Sequence, residues 1–201
     1  MNKVPVKFGE WIEAGFRLYK AHFRTLVLAS IFVVVIGVVT AGLLAGPMLA
    51  GLVLVTLQLL DCKRPAPEAG KVFKGFDYFI QSFFFIVIWG SGILVGSAIL
   101  GTIPFIGQLA SVALAYAAQA YLMFGMFLIV DRQMEWIPAS KESIEVVKTN
   151  FWPFFGLSAV AGVIGSLGAV ACGIGIVLTI PIQGCILAVT YREVFGGSED
   201  R

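Results

Sequence analysis

Ionisable residues are missing from three long stretches of this chain. Residues 25–60, 79–130 and 150–191 contain no Asp, Glu, Lys, Arg or His. Charged types make up 13 % of the 201 residues, about half the share in an ordinary soluble domain. A soluble fold of this size would need a far more charged surface. Histidine occurs once, as His22 beside Arg24, with no partner evident in the sequence. Cysteine occurs three times, as Cys62, Cys172 and Cys185. An odd count without ligand spacing excludes a disulfide framework and a zinc site. Sustained polar and apolar alternation is absent too, which excludes a membrane barrel and leaves helices as the spanning structure. No cleavable signal peptide is expected. The first apolar run begins near Thr25, after an acid-containing segment, and Ala45-Gly46-Pro47 lies inside a longer apolar stretch.

What is present is apolar mass. Apolar types reach 59 % and the mean hydropathy is +0.93. The three uncharged windows are 36, 52 and 42 residues long. A spanning helix needs about 20 residues, so each window reads as two crossings joined by a short turn. The expected fold is all-α and polytopic, with six transmembrane helices near 25–42, 44–60, 79–100, 106–130, 150–171 and 174–191. Glycine and proline punctuate the expected turns at Ala41 to Pro47, Gly101 to Gly107 and Cys172 to Gly175. Pro47 and Pro181 could also mark kinks, since membrane helices tolerate proline. A four-crossing threading is the alternative, and it requires apolar segments that are buried without spanning.

All 14 Lys and Arg residues fall in segments 1–24, 61–78, 131–149 and 192–201. Six crossings place these four segments on one side of the bilayer. That is an extreme positive-inside bias, so both termini are expected in the cytoplasm. Three of the segments carry amphipathic helices suited to the interface. Their stripes are Phe8, Trp11, Ile12, Phe16 and Tyr19; then Val72, Phe73, Phe76, Phe79 and Ile80; then Ile144, Val147 and Phe151. Pro67-Glu68 and Pro138 serve as helix openers. Trp11, Trp136 and Trp152 are placed for an aromatic belt, whereas Trp89 lies deep in the third crossing and reads as packing.

Laying Pro67 on Pro138 without gaps puts Gly75-Phe76 on Val146-Val147 and Phe83-Phe84 on Phe154-Phe155. Laying Gly75-Phe76 on Gly15-Phe16 puts Phe83 on Phe23. The unit ends also match loosely, Asp61 to Arg64 with Asp131-Arg132 and Tyr191-Arg192. The chain therefore reads as one transmembrane domain, 1–201, of three parallel units: 5–61, 67–131 and 138–192. Each unit is an amphipathic helix, a crossing, a turn and a crossing back. Two crossings per unit preserve orientation, and packing around a shared centre is expected. Small residues favour close helix approach, with Gly92/Gly96 and Gly165/Ala169 at small-xxx-small spacing.

The uncharged windows remove the commonest proton-relay and voltage-sensing designs. Polar groups remain at Gln58, Ser158, Gln183 and elsewhere. Tyr116, Gln119 and Tyr121 on the fourth crossing form a candidate polar cavity or interhelical cluster. Lys71, Lys74, Arg17 and Lys20 are candidate contacts for anionic lipid head groups, each adding about 1 kcal/mol at most. Asp61, Asp77, Asp131 and Glu135 would hold a metal only if the units bring them together; helix ends and salt bridges are the simpler reading. No catalytic constellation, cofactor site or phosphate-binding loop is evident. A net charge of +2 with interleaved acids gives no basis for nucleic-acid binding.

Three stretches carry a family resemblance: Gly46-Pro47 with Gly51 and the exit Asp61 to Arg64; Val72-Phe73-Lys74-Gly75-Phe76; and Pro138, Ala139, Ser143, Val147 and Asn150 before an aromatic crossing. With these the chain resembles a broad group of small prokaryotic integral membrane proteins without established activity. That group is related to the membrane region beside some glycerophosphodiester phosphodiesterase domains. The resemblance implies a bacterial or archaeal plasma membrane. It supplies no substrate, and the catalytic phosphodiesterase domain is absent from this sequence. The leading functional expectation is a non-catalytic scaffold, assembly or envelope component, with membrane lipids and a second copy or another membrane protein as partners. A transporter or channel for a lipid, a small neutral solute or an ion comes second, and a membrane enzyme third.

Overall fold

The computed structural model describes residues 7–62, 66–170 and 174–196. Among them every regular element is helical, and the chain is an all-α, polytopic membrane protein.

Helix α1 (Phe8–Ala21) buries Trp11, Gly15 and Tyr19 at four-residue spacing, while Glu10, Glu13, Arg17 and Lys20 face out. It ends at His22 and turns by 90° into α2 (Phe23–Val39). The following turn uses left-handed backbone at Ala41 (φ 49°) and Gly42 (φ 84°). Thr40 ties this turn down. Its hydroxyl donates to the Ile36 carbonyl (2.7 Å) and accepts from the Leu44 N–H (3.3 Å). Helix α3 (Ala45–Leu60) follows, with ten of its residues buried. Pro47 falls in its first turn, where a missing N–H costs nothing, so no kink arises there.

The next amphipathic segment is a 3₁₀ helix, η1 (Ala69–Tyr78), running directly into α4 (Phe79–Gly101). A 3₁₀ helix repeats every three residues. Val72 and Gly75 accordingly share the buried face, and Phe73, Phe76 and Phe79 share an outer one. The expected stripe of Val72, Phe73, Phe76, Phe79 and Ile80 is thus split. Only Val72 enters the core; the aromatic rings point outward. The cause is visible at Gly75, where a Cβ would lie 2.0 Å from the Pro47 carbonyl oxygen and 2.4 Å from the Gly51 nitrogen. Glycine alone lets η1 and α3 meet backbone to backbone.

Helix α5 (Ile106–Leu122) begins after Phe105, another left-handed residue (φ 59°), and breaks at Met123-Phe124 before α6 (Gly125–Asp131). Ser143 of α7 (Trp136–Thr149) bridges this break. It donates to the Tyr121 carbonyl (2.7 Å) and accepts from the Phe124 N–H (3.3 Å). The last hairpin is α8 (Phe151–Val170) and α9 (Ile174–Phe195). Its expected turn at Cys172-Gly173 lies outside the described residues, as do Lys63 and Arg64. The surroundings of Gly165 and Ala169 are also outside them.

One cyclic rule describes the packing. α1 lies on α9, η1 lies on α3, and α7 lies on α5 and α6. Likewise α2 packs on α9, α4 on α3, and α8 on α5. Each amphipathic segment and the helix after it therefore rest on a helix that precedes them in the chain, except that α1 and α2 rest on α9, the last.

Among the described residues, three helical stretches have the length and composition of a crossing: Ala69–Gly101, Ile106–Asp131 and Gly175–Phe195. The bent pair α1–α2 makes a fourth if counted as one broken span, and Ala45–Leu60 and Phe151–Ile164 are shorter apolar helices. The 16 residues of α3 extend roughly 24 Å, against a hydrocarbon core of roughly 30 Å.

Trp11 departs from its expected place. It is 1 % exposed. Its indole N–H donates to Glu193, and its ring stacks on Phe154 at 6.3 Å. It belongs to the core that α1 and α9 enclose, whereas Trp152 remains 78 % exposed, as a belt residue would.

Candidate functional site

Two features share helix α9. The first is at its charged end, where α3, α6 and α9 finish. The Arg192 guanidinium donates to both oxygens of Asp61 (3.0 and 2.7 Å) and both oxygens of Asp131 (2.7 and 2.8 Å). Tyr191 adds a hydroxyl hydrogen bond to Asp131 (2.9 Å). The planar fork of arginine suits such bidentate pairing. One cation thus ties together the ends of α3, α6 and α9. The side chains remain 29 % (Arg192), 27 % (Asp61) and 23 % (Asp131) exposed, so solvent screens the clamp in part. Next to it, Phe124, Phe127, Tyr191 and Phe195 form a ring cluster with centroids 5.0–6.3 Å apart. All four are buried.

The second feature is a set of crevices deeper in the apolar zone. Gln183 stands nine residues before Arg192 on α9, roughly 13–14 Å along the helix axis. A crevice of about 480 Å³ between α4, α5, α8 and α9 has Gln119, Ser158 and Gln183 as its polar lining. Phe85, Trp89 and Leu187 are among its apolar walls. Tyr116 joins Gln119 and Gln183 in an adjoining space of about 310 Å³. A third space of about 420 Å³, also touching Gln183, extends toward Thr56 on α3. Trp89 donates its N–H to Ser140 (2.9 Å), whose hydroxyl in turn donates a hydrogen bond to the Trp136 carbonyl (2.6 Å). Its indole edge is therefore engaged with α7, in keeping with a packing residue.

The sequence-predicted residues separate accordingly. Tyr116 and Gln119 share a crevice, and the Tyr116 ring lies against Gly162, where a Cβ would come within 2.8 Å of it. Tyr121 lines none of these crevices. It stacks on Phe151 (5.3 Å) and offers its carbonyl to Ser143. Lys71 and Lys74 line a shallow groove of about 510 Å³ on η1, along with Glu68 and Asp77. Arg17 and Lys20 are exposed on α1, which packs on a different returning helix. Asp61 and Asp131 do come together, but on an arginine. Among the described residues no group of three or more metal-ligating side chains forms.

Sequence reasoning missed Arg192 as a site residue and left Gln183 unweighted among the polar groups. The Arg192 signal was available, because the loosely matching stretches Asp61 to Arg64, Asp131-Arg132 and Tyr191-Arg192 put Asp61, Asp131 and Arg192 at similar places. Comparison with protein-family profiles, with curated proteins and with solved structures finds no match to this chain.

Proposed function

We propose that this is a non-catalytic scaffold or assembly component of a bacterial or archaeal plasma membrane, threaded six times with both termini in the cytoplasm. Its units are 5–61, 67–131 and 138–192, closing cyclically around one centre. The resemblance to small prokaryotic membrane proteins is part of the same proposal. The observation that carries the scaffold reading is the closed charged end. Arg192 holds Asp61 and Asp131, and buried aromatic rings sit beside it. A through-path for solute would have to break both. Such a centre suits a rigid body that presents surfaces to neighbours. The outward faces of α4 and α5 are broad and apolar, with Leu94, Ile99, Ile106 and Leu109 at 65–75 % exposed. Membrane lipids, and a second copy or another membrane protein, are the partners this surface fits. Lys71, Lys74, Arg17 and Lys20 are proposed to meet anionic head groups.

Reconstitution tests the reading. Proteoliposomes are expected to leak ions and small neutral solutes no faster than empty vesicles. Sustained, protein-dependent flux would overturn it. A second reading, a carrier for a lipid or small neutral solute, is favoured by one observation, the crevice at Gln119 and Gln183. It predicts protein-dependent lipid exchange between leaflets in the same vesicles.

A further inference from the structure

The crevice between α4, α5, α8 and α9 has a polar group with nothing to bond. Ser158 is 2 % exposed, and its hydroxyl oxygen has no hydrogen-bond partner among the described residues. Buried polar groups in native folds are nearly always satisfied, so an orphan on a residue that lines a crevice points to a partner from outside the chain. The Gln119 and Gln183 side chains line the same space from two other helices, and Tyr116 borders its extension. Three helices thus contribute hydrogen-bonding groups to one crevice.

We infer that this crevice is a binding site for a single uncharged amphiphile, a molecule with an apolar body and a carbonyl or hydroxyl oxygen placed among Ser158, Gln119 and Gln183.

The class follows from the lining. None of the described side chains bordering the crevice is ionisable at neutral pH. A charged group here would lose its hydration without a counter-ion, a cost that neutral groups avoid. Amide and hydroxyl donors match an oxygen acceptor, and the amide oxygens can receive a hydroxyl proton. The rest of the wall is Phe85, Ile86, Ile93, Leu187 and the Trp89 ring, a surface for a hydrocarbon body. A volume of about 480 Å³ falls within the roughly 300–1,000 Å³ of single-ligand pockets. Such a site serves a scaffold as a fixed structural molecule and a carrier as cargo, so it depends on neither reading.

The test uses the full chain in phosphatidylcholine nanodiscs and brominated probes that quench tryptophan. Trp89 borders the crevice, and its signal is the difference between wild type and Trp89→Phe. Three probes are titrated: 9,10-dibromostearyl alcohol, 9,10-dibromostearate and 9,10-dibromooctadecane. The alcohol should quench Trp89 saturably at one site per chain. The carboxylate should bind at least tenfold more weakly, and the alkane should quench in proportion to its concentration without saturating. Ser158→Ala and Gln183→Leu should each weaken the alcohol about tenfold, the value of roughly one net hydrogen bond. Thermal unfolding checks that each variant folds, with Gln119→Leu as the replacement for one that does not. Identical unsaturable quenching by alcohol and alkane would overturn the inference, leaving only water and lipid tails in the crevice. So would equal binding of the carboxylate, or wild-type affinity in the folded variants. None of these outcomes bears on solute flux, so the scaffold reading is judged separately.

Discussion

Replacing Gly51 with alanine should separate η1 from α3. A Cβ at position 51 would lie 1.8 Å from the Val72 carbonyl oxygen and 2.9 Å from the Val72 Cα. Ordinary contact begins near 3.4 Å, so η1 must retreat by about 1.6 Å. Backbone cannot step aside as a side-chain tip can. The retreat also unpacks Val72, which is fully buried, and withdraws Gly75 from its seat against Pro47 and Gly51. Overpacking of this kind typically costs about 1–3 kcal/mol and more where backbone must move. Alanine in a helix returns up to about 1 kcal/mol through propensity. A net loss of about 2 kcal/mol is expected. Gly92→Ala on α4 is the internal control, because nothing lies within 4 Å of its Cβ position. It should be neutral or slightly stabilising. The assay is reversible denaturant unfolding in mixed micelles, followed by tryptophan fluorescence. If both variants shift the midpoint equally, the backbone contact between η1 and α3 does not exist as described.

Arg192→Gln should destabilise the bundle by about 1–3 kcal/mol, a figure discounted for partial exposure. It leaves Asp61 and Asp131 close together without their shared cation. Combined with Asp61→Asn, it should cost less than the sum of the two single changes, and additivity in the same unfolding assay would refute the clamp. Ser143→Ala removes the partner of the buried Phe124 N–H at the α5–α6 break. A loss of about 1–3 kcal/mol is expected, with faster amide exchange at Phe124 as the local readout. Topology reporters at residues 70, 104 and 140 should report inside, outside and inside, and an external signal at residue 70 would break the six-crossing threading.

Much of the architecture is legible in the sequence because the bilayer is a demanding solvent. Windows without ionisable residues must be helical and must be long, and the amphipathic segments between them cannot cross. The helices α2, α3, α4, α8 and α9 accordingly lie close to their expected places, and the helix expected over 106–130 is broken into α5 and α6. What misled were details set by partners. The outward face of η1 follows a three-residue period because Gly75 must reach Gly51, whereas periodicity assuming an α-helix put Val72 on one stripe with Phe73, Phe76 and Phe79. Trp11 was assigned to the interface by its position, yet α9 covers it. Tyr121 shared a stretch with Tyr116 and Gln119 in sequence, but the break at Met123-Phe124 and the approach of α7 turn it toward Phe151.

By itself, then, the sequence determined the solvent, the helical class and the absence of charge from three long stretches. Those follow from local composition, since transferring a charge into hydrocarbon is costly wherever it occurs. Only the tertiary structure decided that two acids and a base from three helix ends form one clamp. It also placed Ser158, Gln119 and Gln183 around one space. Those residues are separated by 25 to 131 positions, and contact at that range depends on how whole helices pack.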